Sequence, residues 1–116
     1  MANLPIIDGT KMKGSLNMFG SKYDYFIGFH DVDESSFKFQ NDIYQGTFLA
    51  DSKSGNGTYK WIDDFKIEVE YNDPETSFKG ILDIEKGTLA GETEQTSGFY
   101  CGTKGSFIVS TDQVDE

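Results

Sequence analysis

Arginine is missing from this chain, and cysteine, histidine, tryptophan and proline nearly so. Each shortage removes a class of function. Arginine's planar fork is the usual means of gripping phosphate and stacking on bases. Here the ten basic residues are all lysine, set against 20 acidic residues, for a formal net charge of −10. Long-range repulsion therefore disfavours direct binding to nucleic acid or to an anionic membrane. The one cysteine, Cys101, cannot form an internal disulfide and suits a reducing compartment. The one histidine, His30, excludes a metal site built on several imidazoles, and any Ser-His-Asp triad would have to use it. Its neighbour Asp31 is badly placed to orient it, because adjacent strand residues face opposite ways. Long apolar runs are absent as well. No stretch approaches the 18 residues of a membrane-spanning helix, and the opening MANLPIID lacks the basic and apolar regions of a signal peptide. The expected location is cytoplasmic.

What remains is aromatic and alternating. Ten phenylalanines, six tyrosines and one tryptophan in 116 residues suit a β interior, and 13 glycines supply turns and kinks. The clearest strand covers residues 64–72, where Phe65, Ile67, Val69 and Tyr71 alternate with Lys66, Glu68 and Glu70. One face is apolar and the other charged, as in an antiparallel sheet with one wet side. Asn72-Asp73-Pro74-Glu75 follows as a turn, and Phe78, Gly80, Leu82 and Ile84 resume the apolar face.

Upstream, Met12, Gly14, Leu16 and Met18 form one parity of a first strand, and Tyr23, Tyr25, Ile27 and Phe29 one parity of a second. Phe37 and Phe39 open a third, with an irregularity near Asn41-Asp42 that a β-bulge explains. Beyond it the parity slips, leaving open whether Tyr44 and Phe48 or Ile43 and Leu49 face inward. Residues 51–57 read as a flexible loop, and residues 99–110 as the last strand, with Cys101 a small buried hydrophobe. Residues 1–9 read as an N-terminal arm and 111–116 as a frayed acidic tail.

These segments predict one all-β domain over residues 1–116. Its architecture is an antiparallel up-and-down meander of about eight strands closing into a small barrel, with a two-sheet β-sandwich as the alternative. Strand count and meander resemble the lipocalin- and avidin-type barrels, although the early Gly-x-Trp of lipocalins is absent and Trp61 lies mid-chain.

Chemistry-bearing patterns are weak. Asp31, Asp33, Ser35 and Asp42 echo a calcium loop, but Ser36 stands where a glycine is needed and Asp42 where a glutamate is. Gly55-Asn56-Gly57-Thr58 lacks the lysine of a phosphate loop. No catalytic residue, metal or cofactor is expected. The functional hint is aromatic: Tyr25, Phe29, Tyr59, Trp61, Tyr71 and Phe99, with Tyr23, can line a barrel or its mouth. So many large residues predict a filled core. The first reading is a small apolar or aromatic ligand bound in or at the mouth, without catalysis. The second is an acidic interaction module that docks on a basic protein or forms a homodimer. The third is a cofactor-free barrel isomerase or cyclase, for which a buried carboxylate of raised pKa would be the sign.

Overall fold

A computed structural model describes residues 9–111; residues 1–8 and 112–116, and with them most of the expected arm and tail, lie outside the described residues. Eight antiparallel strands run in chain order: β1 (Lys11–Met18), β2 (Ser21–His30), β3 (Ser36–Gln45), β4 (Phe48–Trp61), β5 (Lys66–Asn72), β6 (Thr76–Asp83), β7 (Thr88–Gln95) and β8 (Lys104–Thr111). Each pairs with its chain neighbour, and β8 returns to pair with β1, so the sheet is a closed barrel, in which residues 51–55 of β4 outrun β5 and pair with β3 alone. Closure removes the unpaired backbone row that an open meander would expose. The barrel reading holds, and the sandwich is excluded.

Alternation drives the closure. Residues Met12, Leu16 and Met18 of β1, Tyr25, Ile27 and Phe29 of β2, and Ile67, Val69 and Tyr71 of β5 are all buried, while Lys66, Glu70 and Lys79 face solvent. Charged residues outside and apolar ones inside is the reverse of a lipid-facing barrel. No helix among the described residues is long and apolar enough to cross a membrane.

The turns are built by aspartates. Asp33 Oδ1 accepts the backbone N–H of Ser35 and Ser36, and Asp73 Oδ1 accepts those of Glu75 and Thr76. In both turns the aspartate N–H also donates to the carbonyl three residues on, at 2.9 Å. Asp33 therefore caps its own turn rather than waiting for a cation.

Four expectations need correction. Residues 51–57 are not a loop but the middle of the 14-residue β4, paired to β3 from Asp51 to Thr58. The missed turn lies earlier, at Gly46-Thr47, where Gly46 adopts φ 65°. The last strand begins at Lys104, so residues 99–103 form a loop and Cys101 is exposed. Phe65 and Ile84 lie just outside β5 and β6 and are exposed; they meet through the Ile84 N–H bond to the Phe65 carbonyl. Finally, His30 and Asp31 do touch, Nδ1 to Oδ2 at 3.4 Å, because Asp31 takes φ 51° and breaks the strand alternation. The parity question is settled by a register shift between Ile43 and Tyr44: Ile43 packs on the core, whereas Phe48 and Leu49 are exposed.

Candidate functional site at the open end of the barrel

The lumen is filled by rings. Tyr71 stacks on Phe78 with centroids 4.7 Å apart, Phe78 lies parallel to Tyr25 at 5.6 Å, and Phe39 meets Tyr71 edge-on at 4.8 Å. Below them Phe29 packs edge-to-face on Phe37 at 5.1 Å. Offset and edge-on geometries of this kind add to the apolar burial itself. The lower end is sealed where the Tyr59 hydroxyl donates to the Asp33 carbonyl and Val32 packs on the core. The hairpins β1–β2, β3–β4, β5–β6 and β7–β8 turn at the other end, where the interior opens into a recess.

A short polar chain crosses the ring stack. The Tyr25 hydroxyl donates to Asn41 Oδ1 at 2.7 Å and lies 2.8 Å from the Tyr71 hydroxyl. One hydroxyl has one proton, so Tyr71 donates to Tyr25 in turn. Burial pushes both phenols well above their ordinary pKa, so both stay neutral donors. Asn41 is buried, and its Nδ2 finds no acceptor among the described residues. An orphaned buried donor costs about 1–3 kcal/mol. Ile43, the next inward residue of β3, packs on the core toward the mouth, and Lys53 is the register partner of Asn41 on β4.

Above the ring stack lies a cup of about 350 Å³, with Leu16, Met18, Tyr23, Ile43 and Phe78 among its lining residues. Its rim is polar. Asp51, Glu75, Thr76 and Gln95 contribute to it, and Lys53 bridges Asp51 at 2.9 Å and Glu75 at 3.4 Å. The hydrogen bond to Asp51 comes first in raising the Lys53 pKa, which keeps the ammonium charged. Asp73, buried in the turn beside Glu75, has its pKa raised by burial, and the Asp51 charge adds to this; its bonds to the N–H groups of Glu75 and Thr76 oppose the rise. Ala50 stands exposed at the lip.

The six aromatic residues expected at a site do not converge. Tyr25 and Tyr71 lie together beneath the cup, joined by their hydroxyls. Phe29 and Tyr59 sit toward the sealed end, both packed on Phe37. Trp61 is the last residue of β4 and is about half exposed (49%), and Phe99 projects from the β7–β8 loop at 93% exposure. Neither lines the interior. Asn41, Ile43 and Phe78 were not singled out as site residues. Asn41 had a usable signal, an amide at an inward position beside a bulge, but its meaning depends on the ring it faces 16 residues away.

Among the described residues no group of three or more histidine, cysteine, aspartate or glutamate side chains is arranged to hold a metal ion. No protein-family model matches the chain, and no curated protein or solved structure matches it significantly.

Proposed function

We propose that the chain binds a small, largely apolar or aromatic ligand at the mouth of the barrel and does not transform it. The observation that carries this reading is the cup: an apolar floor with a polar rim, closed beneath by stacked rings. Ligand sites are commonly concave, mostly apolar and supplied with a few placed polar groups, and the cup is within the lower part of their size range. The cup lining contains no histidine or cysteine to serve as base or nucleophile.

Asp73 supports a second reading, the isomerase or cyclase, because it is a buried carboxylate of raised pKa close to the rim. Its two backbone hydrogen bonds favour a structural role. Asp73→Asn keeps an acceptor for both N–H groups and removes the acid, so it separates the two readings: binding survives it, whereas proton-transfer chemistry would not.

The test uses a neutral aromatic probe, N-phenyl-naphthylamine, followed by fluorescence. Ala50→Trp places a bulky ring at the lip without touching the core and should abolish probe binding. Trp61→Ala, at the opposite end, should leave it unchanged. Undiminished binding in Ala50→Trp, with the fold intact by circular dichroism, would overturn the mouth assignment.

A further inference from the structure

A concavity larger than the mouth lies elsewhere among the described residues. It is a groove of about 830 Å³ on the outer wall of β1, β2 and β3, closed at one end by Gly46 and Thr47 of the β3–β4 hairpin. Strand register arranges its outward residues as a grid of three rows: Lys11–Gly28–Gln40, Lys13–Phe26–Asp42 and Ser15–Asp24–Tyr44. Gly28 leaves a hole in that surface, since a Cβ there would meet only the Lys11 side chain at 3.8 Å. Phe26 forms one wall of the hole. It is 39% exposed and meets Tyr44 edge-to-face at 5.6 Å, so a large part of the ring is left uncovered.

Polar groups of opposite character flank this platform. Lysines occupy the β1 column, and Gln40 and Asp42 the β3 column, roughly 10 Å away at two strand spacings. The β3 column is held in place: Ser52 Oγ donates to Asp42 Oδ1 at 2.7 Å and accepts from Gln40 Nε2 at 2.8 Å. A ligand that fits must lay an apolar face on Phe26 and Gly28 while accepting from ammonium groups on one side and donating to a carboxylate on the other. A purely apolar ligand would strip water from Lys11, Lys13, Asp24 and Asp42 without replacing its hydrogen bonds. A polyphosphate would meet Asp24, Asp42 and a chain of net charge −10. A sugar ring meets every requirement, having a C–H face and edge hydroxyls that both donate and accept.

We propose that this outer groove is a carbohydrate-binding site, with Phe26 as the stacking platform and Gly28 as its floor. It lies on the opposite side of the sheet from the mouth, so the two sites stand or fall separately.

Titration of the isotope-labelled full chain with cellotriose, maltotriose, chitotriose and trigalacturonate, followed by amide NMR, tests the proposal. At least one sugar should shift the amides of Phe26, Gly28 and Tyr44 saturably. Phe26→Ala should weaken that sugar by about tenfold or more, the scale of a lost ring contact with its buried area. Gly28→Val fills the floor at a position with room for a side chain, and should block the sugar while the naphthylamine probe still binds at the mouth. No saturable shift with any of the four sugars would overturn the proposal. So would tighter binding of phenyl phosphate than of any sugar, or sugar shifts that persist unchanged in both variants.

Discussion

The same turn chemistry gives opposite electrostatic outcomes at Asp33 and Asp73. Asp33 is fully exposed, and the N–H of Ser35, then the hydroxyl and N–H of Ser36, hold its carboxyl below the ordinary range. Such a group contributes stability above its unfolded pKa and loses it as pH falls through the folded value. Asp73 makes the corresponding bonds, but burial raises its pKa. Its sign is therefore reversed: its contribution is complete below the unfolded pKa, about 3.9, and is lost as pH rises through the folded one. Asp73→Asn should gain stability relative to the parent between about pH 4 and pH 7, measured by urea unfolding at both. An identical difference at the two pH values would contradict the burial of this carboxylate.

The hydroxyl chain makes a second residue-scale prediction. Tyr71→Phe removes only its donor end, leaving Tyr25 bonded to Asn41, and should cost about 0.5–1.5 kcal/mol. Tyr25→Phe strands both neighbours, so it should cost more, about 1–3 kcal/mol for each buried group left unpaired. Equal costs in chemical denaturation would contradict the chain's direction, Tyr71 to Tyr25 to Asn41.

At the scale of the element, β4 is the informative strand. Its inward face carries Tyr59 at the sealed end and then Gly57 and Gly55, before Lys53 and Asp51 reach the rim. Gly57 is needed for space: a Cβ there would collide with the Phe37 ring and with Tyr71 Cβ. Gly57→Ala should therefore cost about 1–3 kcal/mol by overpacking, and a neutral result in thermal unfolding would contradict the ring placement. The same strand shows why part of the fold was hard to read. DSKSGNG has the composition of a loop, yet its small and polar residues are what allow β4 to pass the rings of β3 and β5. That reason is tertiary and leaves no local period. The β5 alternation, by contrast, is set by one wet and one dry face and was legible from Lys66 to Asn72, failing only at the exposed Phe65. The chain contains five Gly-Thr pairs, and those at 9, 46, 87 and 102 open with a positive-φ glycine suited to a turn; the fifth, at Gly57, lies within β4, where the glycine is needed for packing. Trp61 and Phe99 are exposed and do not line the cup; aromatic character alone does not distinguish an interior position from a strand end or a loop.

At the scale of the whole molecule, the closed meander gathers eight of its aromatic rings into one core and leaves others, Phe26, Trp61 and Phe99 among them, on its surface. Phe78 links the stack to the cup floor, so Phe78→Ala should cost about 3–5 kcal/mol, a large share of the roughly 5–15 kcal/mol a domain of this kind holds. Closure also leaves little edge for a partner to pair with, the exception among the described residues being 51–55 of β4, which outrun β5. Native mass spectrometry of the full chain purified from its own source, at low and moderate salt, tests the mouth reading most directly. The expected result is a small molecule bound one to one, retained at moderate salt and missing from the Ala50→Trp variant. A bare chain, or one that carries instead a basic protein partner lost on adding salt, would contradict it.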